Sequence, residues 1–105
     1  MKDKVNVLFV CGYGVGSSAM SASLVQRGLN KLNVRSEVEH TAAGEVQSFT
    51  DWVDIVAVSK AFADVIGDHS NYRAVLEVEN IMDGDGIAAE IYEIVKDKYP
   101  EAIAQ

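Results

Sequence analysis

Apolar and polar positions along the chain switch between two rhythms. Residues 5–10 (Val-Asn-Val-Leu-Phe-Val) are apolar at nearly every position, the pattern of a central strand buried on both faces. After a short glycine-rich break the spacing becomes helical. Ser17 or Ser18 can act as N-cap of a helix running to about Leu32, with an apolar stripe of Met20, Leu24, Val25, Gly28, Leu29 and Leu32. Gly28 costs helix propensity and is expected to let the helix approach the sheet closely. Asn33 ends the helix. Residues 34–40 then alternate, with Val34, Ser36, Val38 and His40 on one side, as in an edge strand with a half-exposed face.

The second half repeats the alternation. Residues 41–52 read less clearly, with a short helix expected around 44–49 and a turn at Thr50-Asp51. Residues 54–58 predict a second buried strand, 60–66 a short helix closed by Gly67, 68–71 a polar loop, and 73–78 a fourth strand. Asp83-Gly84-Asp85-Gly86 predicts a turn and cap. A last helix is expected from about Ile87 to Tyr99, with Ile91, Ile94, Val95 and Lys98 near one face, stopping at Pro100. Strands joined by helices imply an α/β fold: a four-stranded parallel sheet, order 2-1-3-4, with right-handed crossovers and helices on both faces in three layers. The first strand then borders the topological switch point, where open α/β sheets bind ligands at the carboxyl ends of their strands.

Composition narrows the function classes. The 105 residues suit one domain, residues 1–105, with a single core. With 16 acidic and 9 basic residues the formal charge is −7, which argues against nucleic acid and against an anionic membrane surface. One cysteine forms no internal disulfide, which fits a reducing cytoplasm. The six-residue apolar run near the N-terminus is too short for a signal segment or a spanning helix, so no membrane insertion is expected.

That single cysteine closes the first strand. Cys11-Gly12-Tyr13-Gly14-Val15-Gly16-Ser17-Ser18 is a strand end, a glycine-rich turn and a helix start, the parts of an anion-binding loop. Glycines let several backbone N–H groups turn towards one point, and the helix adds the positive end of its dipole. A thiol at the mouth of such a loop is expected to favour its thiolate, which makes Cys11 a candidate nucleophile able to carry a phosphoryl group. Ser17 and Ser18 serve either as plain N-caps or as hydroxyl donors to phosphate. The phosphatase pattern Cys-x5-Arg-Ser/Thr fails at one place: Ser17 stands where the phosphate-clamping arginine would be. Hydrolysis should therefore be poor. Walker A fails for lack of Gly-Lys-Ser/Thr, a thioredoxin motif for lack of a second cysteine, and the glycines do not fit G-x-G-x-x-G. His40 and His69 read as ordinary strand-end or surface histidines, and Asp83 and Asp85 as caps rather than calcium ligands, so no metal site is expected.

The run Val7 to Ser18 resembles the phosphocysteine loop of enzyme IIB subunits of the bacterial phosphoenolpyruvate-dependent sugar phosphotransferase system. Its form Cys-Gly-x-Gly-x-Gly-Ser-Ser is similar to the L-ascorbate type within the lactose/ascorbate/galactitol group. Ala43-Gly44-Glu45, Asp54-Ile55-Val56, Ile94-Val95-Lys96 and Tyr99-Pro100 also look like that type. The resemblance implies a cytoplasmic carrier. Cys11 would accept phosphate from a phosphohistidine on a IIA protein and pass it to a sugar held by a membrane IIC subunit, with no cofactor. The phosphate would sit against Gly12, Tyr13, Gly14, Val15, Gly16, Ser17 and Ser18, with Tyr13 at a variable position open to a role in specificity or docking. Two rivals use the same loop: a low-molecular-weight cysteine phosphatase, with Asp83 or Asp85 as general acid, and a non-enzymatic anion-sensing module.

Overall fold

The computed structural model describes residues 4–10, 15–41, 48–49, 51–60, 74–80 and 82–103, the side chains of 15–19 excepted. In chain order the elements are β1 (Val5–Val10), α1 (Val15–Lys31), β2 (Ser36–Thr41), β3 (Ile55–Ser59), β4 (Ala74–Val78), α2 (Gly84–Lys98) and a single 3-10 turn, Pro100–Ala102. The four strands form one parallel sheet in the order β2-β1-β3-β4, as the alternation of strands and helices requires. β1 lies inside it, with Val7 opposite Val38 of β2 and Ile55 of β3, and Ile55 opposite Ala74 of β4.

The near-continuous apolar run of β1 has two faces to fill. Val5, Val7 and Phe9 point into the main core with Val25 and Leu29 of α1 and Ile87, Ile91 and Val95 of α2. Leu8 and Val10 point the other way, with Val53, Val56 and Val58, and against this second cluster pack Phe49, Trp52 and Val75. Both described helices thus lie on one face. The helix expected over 60–66, with its closing Gly67, and the polar loop 68–71 fall outside the described residues except for Lys60, and the short helix over 44–49 is described only at 48–49, in a turn beneath Trp52. Asn6, the polar position in β1, serves the sheet. Its N–H donates to Asp54 Oδ2 at 2.9 Å and its side-chain amide donates to the Trp52 carbonyl at 2.8 Å, tying the entry of β3 to β1.

Helix boundaries depart from the sequence expectation in instructive ways. α1 starts at Val15, so Ser17 and Ser18 lie within its first turn and neither is the N-cap. α1 ends as predicted at Asn33, which takes the left-handed conformation at φ 62°. Val34 N–H donates to the Leu29 carbonyl and Asn33 N–H to the Asn30 carbonyl, the paired bonds of a Schellman C-cap. α2 begins at Gly84, three residues before Ile87, because Asp83 caps it: the Asp83 carboxylate accepts from Gly86 N–H at 3.1 Å. Gly84 and Gly86 therefore belong to the helix rather than to a preceding turn.

The α1 stripe is also rotated. Met20, expected in the core, is 56% exposed, whereas Ser21 and Ala22 are buried. α1 packs against α2 as well as the sheet, so its buried arc is wide and takes in small residues. Gly28 belongs to this helix contact instead of the sheet contact anticipated for it. A Cβ there would lie 2.7 Å from Ala88 Cβ of α2.

Candidate functional site

β1 runs to its carboxyl end at Val10, which lies between Thr41 of β2 and Val58 of β3. From β1 the chain passes through α1 to β2 at one edge, and then returns past β1 to β3. The crevice between β1 and β3 is accordingly the switch point, where neighbouring connections leave in opposite directions and the sheet opens to a ligand. In the sequence Cys11 is the first residue after β1. Only four residues, Cys11 to Gly14, join Val10 to Val15, the first residue of α1.

Those four residues lie outside the described part of the structure. The helix that follows has been placed. In an α-helix that begins at Val15, the N–H groups of Val15, Gly16 and Ser17 have no carbonyl one turn back, and they carry the positive end of the helix dipole. No acidic residue sits in that first turn to neutralise it. Fixed donors therefore begin after only four intervening residues from the carboxyl end of β1. The arrangement suits an oxyanion, with Val15, Gly16, Ser17 and Ser18 all in the first turn. The rigid frame behind it is the buried β1 on one side and the α1–α2 contact on the other.

Other described candidates lie on other elements. His40 is a half-buried residue of β2 paired with Phe9, and His69 lies outside the described residues. Asp83 is the cap of α2, and the Asp85 carboxylate lies 3.6 Å from Lys31 Nζ of α1 in an exposed pair. Among the described residues no cluster of His, Cys, Asp or Glu is arranged to hold a metal ion. The sequence reading missed a groove of about 550 Å³ at the same sheet end, beyond β3 and β4, lined by Lys60, Glu77, Glu79, Asn80, Asp83 and Glu90 among others. Lys60 and Glu79 pair across it at 3.1 Å. The only signal for it in the sequence is the Glu-Val-Glu run at the end of β4, which carries no spacing that would link it to Lys60.

The family described as the lactose/cellobiose-specific IIB subunit of the PTS system matches residues 6–93. The ascorbate-specific PTS system EIIB components of Salmonella typhimurium and of Escherichia coli O157:H7 are each 29% identical over 99 residues, covering 94% of this chain and 97% of theirs. Among solved structures, the lactose-specific IIB component domain of the phosphoenolpyruvate:carbohydrate phosphotransferase system from Streptococcus pneumoniae superposes with a TM-score of 0.58 at 18% identity. It covers 91% of this chain and 98% of that one, and shares the fold. Among the described residues no helix is long and apolar enough to cross a membrane.

Proposed function

The chain belongs to the lactose/cellobiose-specific IIB subunit family, a phosphotransferase component of sugar transport, and from that membership we propose that Cys11 is the residue that carries the phosphoryl group. The observation that supports this most is positional: the only cysteine follows the last residue of β1 at the switch point, four residues before the exposed N–H groups of α1. The carrier works in the cytoplasm, beside a membrane permease.

Two displacements at phosphorus make up the cycle. In the first, the Cys11 thiolate attacks the phosphorus of a phosphohistidine on a IIA protein. The S–P bond forms, the P–N bond breaks, and the histidine nitrogen keeps the electron pair. In the second, a hydroxyl of a sugar held by a IIC subunit attacks the phosphorus. The O–P bond forms, the S–P bond breaks, the thiolate leaves, and the hydroxyl proton passes to a base at the acceptor. The backbone N–H groups of Gly12, Tyr13, Gly14, Val15, Gly16 and Ser17 hold the three equatorial oxygens, with the Ser17 and Ser18 hydroxyls as further donors. Catalysis is then mainly positioning and electrostatic stabilisation. Ser17 in place of an arginine leaves charge compensation to these dipoles and to the partner, so the phosphocysteine persists until it is handed on. The ascorbate-specific relatives favour L-ascorbate or a related sugar or polyol as the acceptor.

The test is intact-protein mass spectrometry after incubation with phosphoenolpyruvate, the general phosphotransferase proteins and the cognate IIA. One added phosphate is expected, on Cys11, absent in Cys11→Ser and absent without IIA. A label on His40 or His69 would overturn the assignment.

A further inference from the structure

β2 is an edge strand whose outer edge is occupied by a side chain. The Arg35 carbonyl accepts from Val5 N–H of β1 at 3.0 Å, so odd-numbered residues turn their backbone groups inward and even-numbered ones outward. The outward groups include the Ser36 carbonyl and the Val38 N–H. From α1, Gln26 reaches across both. Its Oε1 accepts from Val38 N–H at 3.1 Å, and its Nε2 donates to Ser36 Oγ at 3.0 Å and, less tightly, to the Ser36 carbonyl at 3.4 Å. A further bond from Nε2 to Asn30 Oδ1, at 3.2 Å, holds the amide in place along α1. One primary amide thus offers an acceptor and a donor where a neighbouring strand would offer a peptide group.

We propose that Gln26 is a plug on a self-complementary strand edge, and that the surface it closes fits a second copy of this chain paired antiparallel through β2. An open parallel-sheet edge is a template for strand addition unless something covers it. The charges on β2 choose the register. Setting Ser36 opposite Val38 of the second copy uses the two backbone groups that Gln26 now holds and puts Glu37 on the two-fold axis. Arg35 then falls opposite Glu39 of the second copy, twice by symmetry, and both residues are exposed. The single like-charge pair, Glu37 with its mate, is relieved by Lys4, whose Nζ lies 3.5 Å from Glu37. A register centred on Val38 would instead oppose Glu37 and Glu39 twice, and is disfavoured.

Sedimentation velocity on the full chain over a concentration series tests this. Gln26→Ala, a favourable helix residue at a half-buried surface position, is expected to tighten self-association, lowering its dissociation constant (Kd) by about tenfold or more relative to the natural chain. Adding Glu39→Arg, which faces Arg35 of the second copy, should abolish the gain. Adding Arg35→Glu as well should restore it. Gln26→Glu keeps the acceptor for Val38 but turns a carboxylate towards the Ser36 carbonyl, and should associate more than the natural chain. In parallel, the Val38 amide should exchange its hydrogen faster in dilute Gln26→Ala than in the natural chain. Unchanged association in both Gln26 variants, or association indifferent to Glu39→Arg, would overturn the proposal.

Discussion

Single residues carry more of this protein than their numbers suggest. Asn33 shows how: one left-handed residue lets two carbonyls at the end of α1 find donors, and it turns the chain into β2. Glycine adopts that conformation without a Cβ penalty, whereas a β-branched residue resists it. Asn33→Gly is therefore expected to hold or raise Tm, and Asn33→Val to cost roughly 1–2 kcal/mol, a fall on the order of 4–16 °C for a domain of this size. Thermal unfolding followed by circular dichroism would show it. At the proposed phosphate loop the expected effect is on function. Gly16 lies in the first turn of α1, where valine is no worse a helix residue than glycine, so Gly16→Val should leave Tm nearly unchanged. Gly14→Val and Gly16→Val crowd the approaching oxygens, and each should cut phosphoryl uptake from IIA by roughly tenfold or more, on the scale of losing an oxyanion donor. Normal uptake in both variants would show that the cradle is misplaced.

Between elements, the α1–α2 crossing is the closest contact of the two helices in the main core. Gly28 meets Ala88 where any Cβ on residue 28 would stand 2.7 Å from Ala88 Cβ, and Gly84 is packed as closely against Leu24. The helices approach each other backbone to backbone there, and the Lys31–Asp85 pair lies beside the same contact. That pair is exposed on both sides and adds little by itself. Gly28→Ala replaces a poor helix residue by the best one, worth about 1 kcal/mol, yet overpacks the crossing by about 1–3 kcal/mol. A net loss of stability is expected, measured by urea unfolding. In the double variant Gly28→Ala with Ala88→Gly the methyl group changes sides, and the loss should be smaller than the sum of the single losses. Additive losses would mean that the two positions do not share a contact.

For the whole molecule the relevant balance is between keeping a phosphoryl group and losing it to water. A cysteine phosphatase and a phosphoryl carrier can share a strand-loop-helix frame, and they differ in how the intermediate is treated. Without an arginine at position 17, the isolated protein is expected to release almost no phosphate from an aryl phosphate, in a colorimetric assay at neutral pH. Turnover at a rate typical of enzymes, about 1 per second or more, would favour the phosphatase reading instead. The formal charge of −7 disfavours anionic surfaces, so under the proposed function an approach to a membrane permease would rest on protein contacts rather than on lipid headgroups.

The sequence alone determined the kind of sheet and the place of the loop. Strand-like runs separated by helical spacing leave few topologies, and β1 appears with both ends where its apolar run begins and stops. The glycine triplet after Cys11 marks a candidate anion-binding turn in the sequence, because such a turn needs residues free of Cβ at short spacing, and that requirement is local. The starts of the helices were not legible in the same way. Ser17 and Ser18 are good caps on propensity, and Gly84 and Gly86 are poor helix residues, yet α1 starts before the serines and α2 takes in both glycines. In α2, capping by Asp83 and the close packing of Gly84 on Leu24 outweigh the glycine penalty, which is worth only about 1 kcal/mol per residue. The same contact leaves Met20 exposed and buries Ser21, because a helix gripped from two sides has no single apolar stripe. Tertiary structure also decided the Gln26 bonds to β2 and the groove between Lys60 and Glu79. Both join residues whose meeting depends on the sheet order and the helix crossing, which no local pattern in the chain encodes.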